Sequence, residues 1–125
     1  MLGEDEIEDL GWYLGTPMAH QIRQEQGDLP RELSFIFGHT HKPFQDELKV
    51  DGYEVPVGVF NTGGWVLDEP TLMPVQGCAA MLVSDDLEVA SLRLFNDPTD
   101  GTMAPVRVEG SGRVTRLVDE VGQAV

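Results

Sequence analysis

Phe35-Ile36-Phe37-Gly38-His39-Thr40-His41-Lys42-Pro43-Phe44 is the stretch around which the chain is organised. Residues 33–37 are apolar apart from Ser34, and the run ends on a glycine and two histidines one residue apart. A short continuous apolar run reads as a strand covered on both faces, hence a central strand of a sheet. Gly38 lets the chain turn at its end without a Cβ penalty. If the next residues stay extended, His39 and His41 point the same way, because side chains alternate along a strand. Their Cα atoms then lie roughly 6–7 Å apart. Two neutral imidazoles so placed suit the two metals of a close pair, ~3.5–4 Å apart in two-metal hydrolases.

Upstream of this strand, residues 4–14 are acidic at the start and carry Ile7, Leu10 and Leu14 at helical spacing. The early carboxylates suit a helix N-terminus, while Gly11 and Gly15 weaken the helix. Thr16-Pro17 reads as an N-cap followed by proline at the first helical position. A second helix then runs from residue 17 to 26 and closes at Gly27. Met18 and Ile22 mark its buried stripe, and His20 lies about 200° round from Met18. His20 is therefore read as a surface residue.

Downstream, residues 42–47 read as a loop. Strands at 48–50 and 53–60 flank Asp51-Gly52, a two-residue hairpin turn. Tyr53, Val55, Val57 and Val59 alternate, and Pro56 points to an edge strand or a bulge. Asn61-Thr62-Gly63-Gly64 is a turn, followed by a short strand at 65–67 with Trp65 in the core. Residues 78–83 and 87–95 form a second hairpin about Ser84-Asp85-Asp86. Asn96 to Gly101 is a turn cluster that ends the compact core. Residues 1–96 are thus one unit and 97–125 a partly flexible extension. Val106 and Val108 suit a strand there, and residues 114–121 a short helix or a strand.

The 125 residues carry a net charge of −14 with only eight Lys and Arg. They are not clustered, which excludes polymeric nucleic acid as a natural partner. No run approaches the ~20 apolar residues of a membrane span. The start is acidic and lacks the pattern of a secretion signal. Cys78 is the single cysteine, in an apolar context, so it reads as a small buried residue in a reducing, cytoplasmic setting.

Gly38-His39-Thr40-His41-Lys42-Pro43 resembles the last motif of the calcineurin-like metallophosphoesterases, which end the catalytic domain on Gly-His-x-His. Some twenty residues on, the family commonly shows Asn-Thr-Gly-Ser-Trp, and here Asn61-Thr62-Gly63-Gly64-Trp65 stands with Gly64 in place of the serine. The resemblance covers roughly residues 11–95. It implies an α/β fold: the C-terminal half of a four-layer αββα sandwich, mostly antiparallel, with helices at the N-terminal side. It also implies that His39 binds one divalent metal and His41 the other, the pair being Mn, Fe, Zn or Ni. Such a pair activates water and neutralises phosphate oxygens during in-line displacement at a phosphoester.

The family draws its other ligands from Asp-x-His, Gly-Asp and Gly-Asn-His motifs and from a lone histidine. Asp-x-His and Gly-Asn-His do not occur here. Gly27-Asp28 lies at a helix exit, and His20 does not end an apolar strand. The expected function is therefore a C-terminal segment of a metal-dependent phosphoester hydrolase, whose catalytic N-terminal half or complementing chain must be supplied separately. By itself this chain is expected to be inactive. The alternative is a non-catalytic scaffold or interaction module of the same fold. Either way, a half-sheet exposes apolar edges, and self-association is expected. A single-metal barrel using His39, His41 and Asp46 or Glu47 lacks its upstream glycine and its later histidine motif.

Overall fold

The computed structural model describes residues 2–38, 43–64, 78–94, 107–111 and 115–124. They form a mixed α/β structure with two three-stranded sheets. Helices α1 (Glu4–Tyr13) and α2 (Ala19–Gln26) lead. They are followed by β1 (Ser34–Phe37), β2 (Phe44–Leu48) and β3 (Val57–Asn61), which form the first sheet in the order β1-β3-β2. β4 (Cys78–Val83), β5 (Val89–Leu94) and β6 (Arg107–Glu109) form the second sheet in that order, and α3 (Arg116–Ala124) follows.

The helical region is continuous where a break at Thr16 was expected. Leu14–Met18 is a π-turn that joins α1 to α2, with Pro17 inside it. Pro17 cannot donate to the carbonyl four residues back, and a wider turn accommodates the missing N–H. Thr16 is therefore no N-cap. Leu14, at the start of the π-turn, is fully buried, and its carbonyl accepts a 3.0 Å hydrogen bond from the Tyr53 hydroxyl. Helix α1 opens on Gly3, whose N–H donates to the Glu6 carboxylate at 2.9 Å. Helix α2 closes on Gly27 at φ 86°, as expected. His20 is exposed.

In the first sheet β3 is the central strand and is buried along its whole length. It pairs parallel with β1, Phe35 opposite Val59, and antiparallel with β2, Asp46 opposite Val59. This corrects two expectations. β1 is an outer strand among those described, and its residues alternate between exposed and half-buried. Its apolar run reflects rings packed on one face, with Ile36 on the other 39% exposed. β2 occupies residues expected to be a loop. The Asp51-Gly52 turn exists, with Gly52 at φ 95° and Tyr53 N–H donating to Val50 O. The ladder resumes only at Leu48 opposite Val57, past Pro56, which cannot donate to it.

Val57 and Val59 face the helices, and the core there includes Leu2, Leu14, Leu48, Val50 and Tyr53. A line of rings crosses the same face: Tyr13 to Phe35 at 5.9 Å, Phe35 to Phe37 at 5.3 Å, Phe37 to Phe44 at 5.7 Å. These are ordinary spacings for attractive ring pairs.

The second sheet carries the expected hairpin, Val83 opposite Val89 and Cys78 opposite Leu94. Ser84 N–H donates to Glu88 O and Leu87 N–H to Ser84 O, with Leu87 in the left-handed region at φ 63°. β6 adds to β5, Val108 opposite Leu92. Residues 116–124 adopt the helical alternative. Thr115 Oγ1 accepts from Val118 N–H, and the Glu88 carboxylate accepts from Leu117 N–H at 2.9 Å, holding the start of α3 at the hairpin. The sheets meet where Ala79 N–H donates to Thr62 O at 2.8 Å and the Arg93 guanidinium to Pro43 O. The side chain of Cys78 and the residue Trp65 lie outside what the structure describes.

Two substitutions test this packing. Tyr53→Phe removes the bond to Leu14 O and is expected to cost about 1 kcal/mol at neutral pH, read by urea unfolding. Burial raises the Tyr53 pKa, opposed by the nearby Arg23 charge. The folded state thus favours the neutral phenol, a contribution fully present below the unfolded pKa of about 10 and lost as pH rises through the folded value. The native protein should therefore lose stability more steeply than Tyr53→Phe above pH ~10. Leu87 is 75% exposed, so Leu87→Gly gives up little burial and relieves a left-handed leucine. A gain of about 1 kcal/mol is expected in the same assay.

Candidate metal centre

The strands that lead into the two motifs, some twenty residues apart in sequence, end side by side. β1 runs parallel to β3, so both chains reach the same end of the sheet, with Phe37 opposite Asn61. The ladder continues one step further, Thr62 N–H donating to Phe37 O at 2.9 Å. Gly38 follows β1 there. A Cβ on it would stand 2.8 Å from Thr62 Oγ1 and 3.5 Å from Gly63 O. Its φ is not left-handed, so close approach of the second motif, rather than a turn, requires glycine at this position.

The Asn61-Thr62-Gly63-Gly64 segment is a turn, as expected, built around a buried amide. Asn61 is fully buried, and its Oδ1 accepts from Gly63 N–H at 2.7 Å. Gly63 takes φ 75°, the left-handed conformation that closes such an Asx turn. Thr62 Oγ1 donates to Gly63 O at 3.3 Å, and Thr62 O accepts from Ala79 at the start of β4. Pro43, which precedes β2, is buried at this same end and accepts from Arg93. Burial lowers the Arg93 pKa first, the Arg107 charge adds to it, and Glu109 opposes both.

His39 and His41 lie outside the described residues, between Gly38 and Pro43. The residues that bracket them, Gly38 and Pro43, follow β1 and precede β2, the strands on either side of β3. Asp46 and Glu47 are carried away from that end on β2, opposite Val59 and Gly58. Consecutive residues on a strand point to opposite faces, so one centre does not collect both. Asp46 Oδ1 instead accepts from Glu47 N–H at 2.8 Å. Asp51 is in the turn beyond Leu48, at the other end of β2 from Pro43, and His20 is exposed on α2. Among the described residues, no three His, Cys, Asp or Glu side chains gather closely enough to hold a metal. Those residues therefore do not make a two-metal centre by themselves.

Sequence reasoning missed Thr62 and Arg93. Thr62 fills the space over Gly38, and Arg93 ties the second sheet to the start of β2. A threonine in a turn and an arginine in a strand carry no local signal for either role. Among the described residues no helix is long and apolar enough to cross a membrane. Comparison with protein-family models, with curated proteins and with solved structures finds no match.

Gly38→Ala tests the contact that joins the motifs. It is expected to cost about 1–3 kcal/mol through overpacking. Adding Thr62→Ala removes the opposing oxygen and should restore much of that loss. A double mutant that unfolds no later in urea than Gly38→Ala would show the contact to be irrelevant.

Proposed function

We propose that this chain is the C-terminal segment of a metal-dependent phosphoester hydrolase, supplying His39 and His41 as ligands for two divalent metals. The observation that carries this reading is the convergence of the two motifs. The strand leading to Gly38 and the strand leading into Asn61-Thr62-Gly63-Gly64 lie parallel and in register, and Thr62 packs over Gly38, the first residue of the first motif. The fold is then read as half of the αββα sandwich, its remaining strands and ligands coming from a polypeptide segment outside these 125 residues.

In the complete site the metals would supply activated water and neutralisation of phosphate oxygens. This chain would contribute the two imidazoles, from the segment between Gly38 and Pro43. The buried Asn61 and the Gly63 turn lie at the same end of the sheet as those two residues, and the Ala79 and Arg93 bonds to Thr62 and Pro43 tie the second sheet to it. A single cysteine, Cys78, suits a reducing compartment such as the cytoplasm.

The test compares this chain with a longer polypeptide encoded in frame ahead of Met1, if the coding sequence continues there with Asp-x-His, Gly-Asp and Gly-Asn-His motifs. The longer protein is expected to retain about two Mn or Zn ions per chain and to hydrolyse an aryl phosphoester. His39→Ala or His41→Ala should lower that activity by more than the ~10–100-fold typical of outer-shell partners. The chain alone should retain little metal and show no turnover. A longer protein that binds metal through both histidines without hydrolysing any phosphoester would favour the non-catalytic module instead.

A further inference from the structure

We propose that Arg93 is a positioning residue for His39 and His41: through the Pro43 carbonyl it fixes the span between Gly38 and Pro43, and so the geometry that the two histidines offer a metal. The inference rests on the reading of those histidines as ligands. Phe37 and Phe44 both pair with Asn61, from opposite sides of β3. Two strand spacings of about 4.8 Å therefore set them roughly 10 Å apart. The seven chain steps between them could reach about 23–25 Å. Strand pairing alone thus leaves the course of residues 38–43 undetermined. A preorganised ligand pair needs further anchors at both ends.

Both anchors come from one rung of the second sheet. Ala79 and Arg93 are direct partners across β4 and β5. Ala79 N–H donates to Thr62 O at 2.8 Å, and Thr62 in turn holds the Gly38 end, with its N–H on Phe37 O and its Oγ1 beside Gly38. Arg93 reaches the other end and donates to Pro43 O. Proline has no N–H, so its carbonyl is the one backbone hydrogen-bonding group by which residue 43 can be held. Pro43 is buried, and a buried carbonyl left unpaired is costly. Charge and position act here in opposite directions. A guanidinium near a metal-binding segment repels cations, so removing it from a chain of net charge −14 would by electrostatics alone tighten metal binding. Losing an anchor weakens binding instead, as loss of an outer-shell partner does.

The experiment is a Zn²⁺ titration of the full chain, followed by NMR through the imidazole resonances of its three histidines. Titration reads weak binding as well as tight, and the exposed His20 is the internal reference. In the native chain His39 and His41 should respond at lower Zn²⁺ than His20. Arg93→Met keeps a long apolar arm without a donor. It should raise the midpoint of both histidines roughly 10-fold, the lower end of the outer-shell range, and leave His20 unmoved. Arg93→Lys keeps charge and donor and should lie closer to the native midpoint than to that of Arg93→Met. If the amide resonances of β4 and β5 show Arg93→Met unfolded, Arg93→Gln, neutral and too short to reach Pro43 O, replaces it with the same expectation. An unchanged or lower midpoint in the folded variant overturns the positioning role while leaving the histidines as ligands. So does Arg93→Lys binding as weakly as Arg93→Met. A native chain in which His39 and His41 bind no better than His20 overturns the ligand reading itself, and this inference with it.

Discussion

Every backbone polar group of Val57–Asn61 has to find its partner inside the protein, because the strand is buried from end to end. β1 and β2 meet that demand from opposite sides, one parallel and one antiparallel. An unpaired buried amide or carbonyl costs as much as a lost hydrogen bond or more. The position of β3 thus sets the positions of its neighbours, and with them the end of the sheet at which Gly38, Asn61 and Pro43 assemble. The valines of β3 supply the helix-facing core, while the backbone of the strand sets its register.

The helical layer answers to the same strand. Val57 and Val59 require an apolar cover, which the π-turn provides by presenting Leu14. A proline in the middle of a helix usually breaks or kinks it. Here the chain widens by one residue per turn and continues, and Tyr53, from the segment leading into β3, donates to the Leu14 carbonyl. The irregularity is thus braced from the sheet side.

Several elements were legible in the sequence because their signals are local. The hairpin of β4 and β5 is announced by two apolar runs about Ser84-Asp85-Asp86, and the end of α2 by Gly27. The extent of β1 was legible as well, but its place in the sheet was not. Phe35 and Phe37 on one face and Ile36 on the other make an unbroken apolar run, although Ile36 stays 39% exposed. β2 was hidden because Asp46 occupies the face that Phe44 and Leu48 share, which breaks the alternation. The continuity of α1 into α2 depends on Leu14 and Tyr53, 39 residues apart, and no window along the chain contains both. The two motifs were visible as sequence, but their adjacency comes from the parallel pairing, with the Gly38–Thr62 contact as its tightest point.

The strand order β1-β3-β2 also has a history written into it. β2 and β3 are consecutive and antiparallel, so they pair early, closing only a short loop. β1 precedes both, yet its neighbour in the sheet is β3 rather than β2. Its parallel contact joins Ser34 to Gly58 and cannot form until the later strand exists. Pairings that span more chain cost more closure entropy and arrive later. The ends of the segment bearing His39 and His41 therefore reach their native separation only when β1 docks. The spacing between Gly38 and Pro43 would be among the last features of the nascent protein to mature, and a chain stalled before that step would present its aromatic strand to its neighbours.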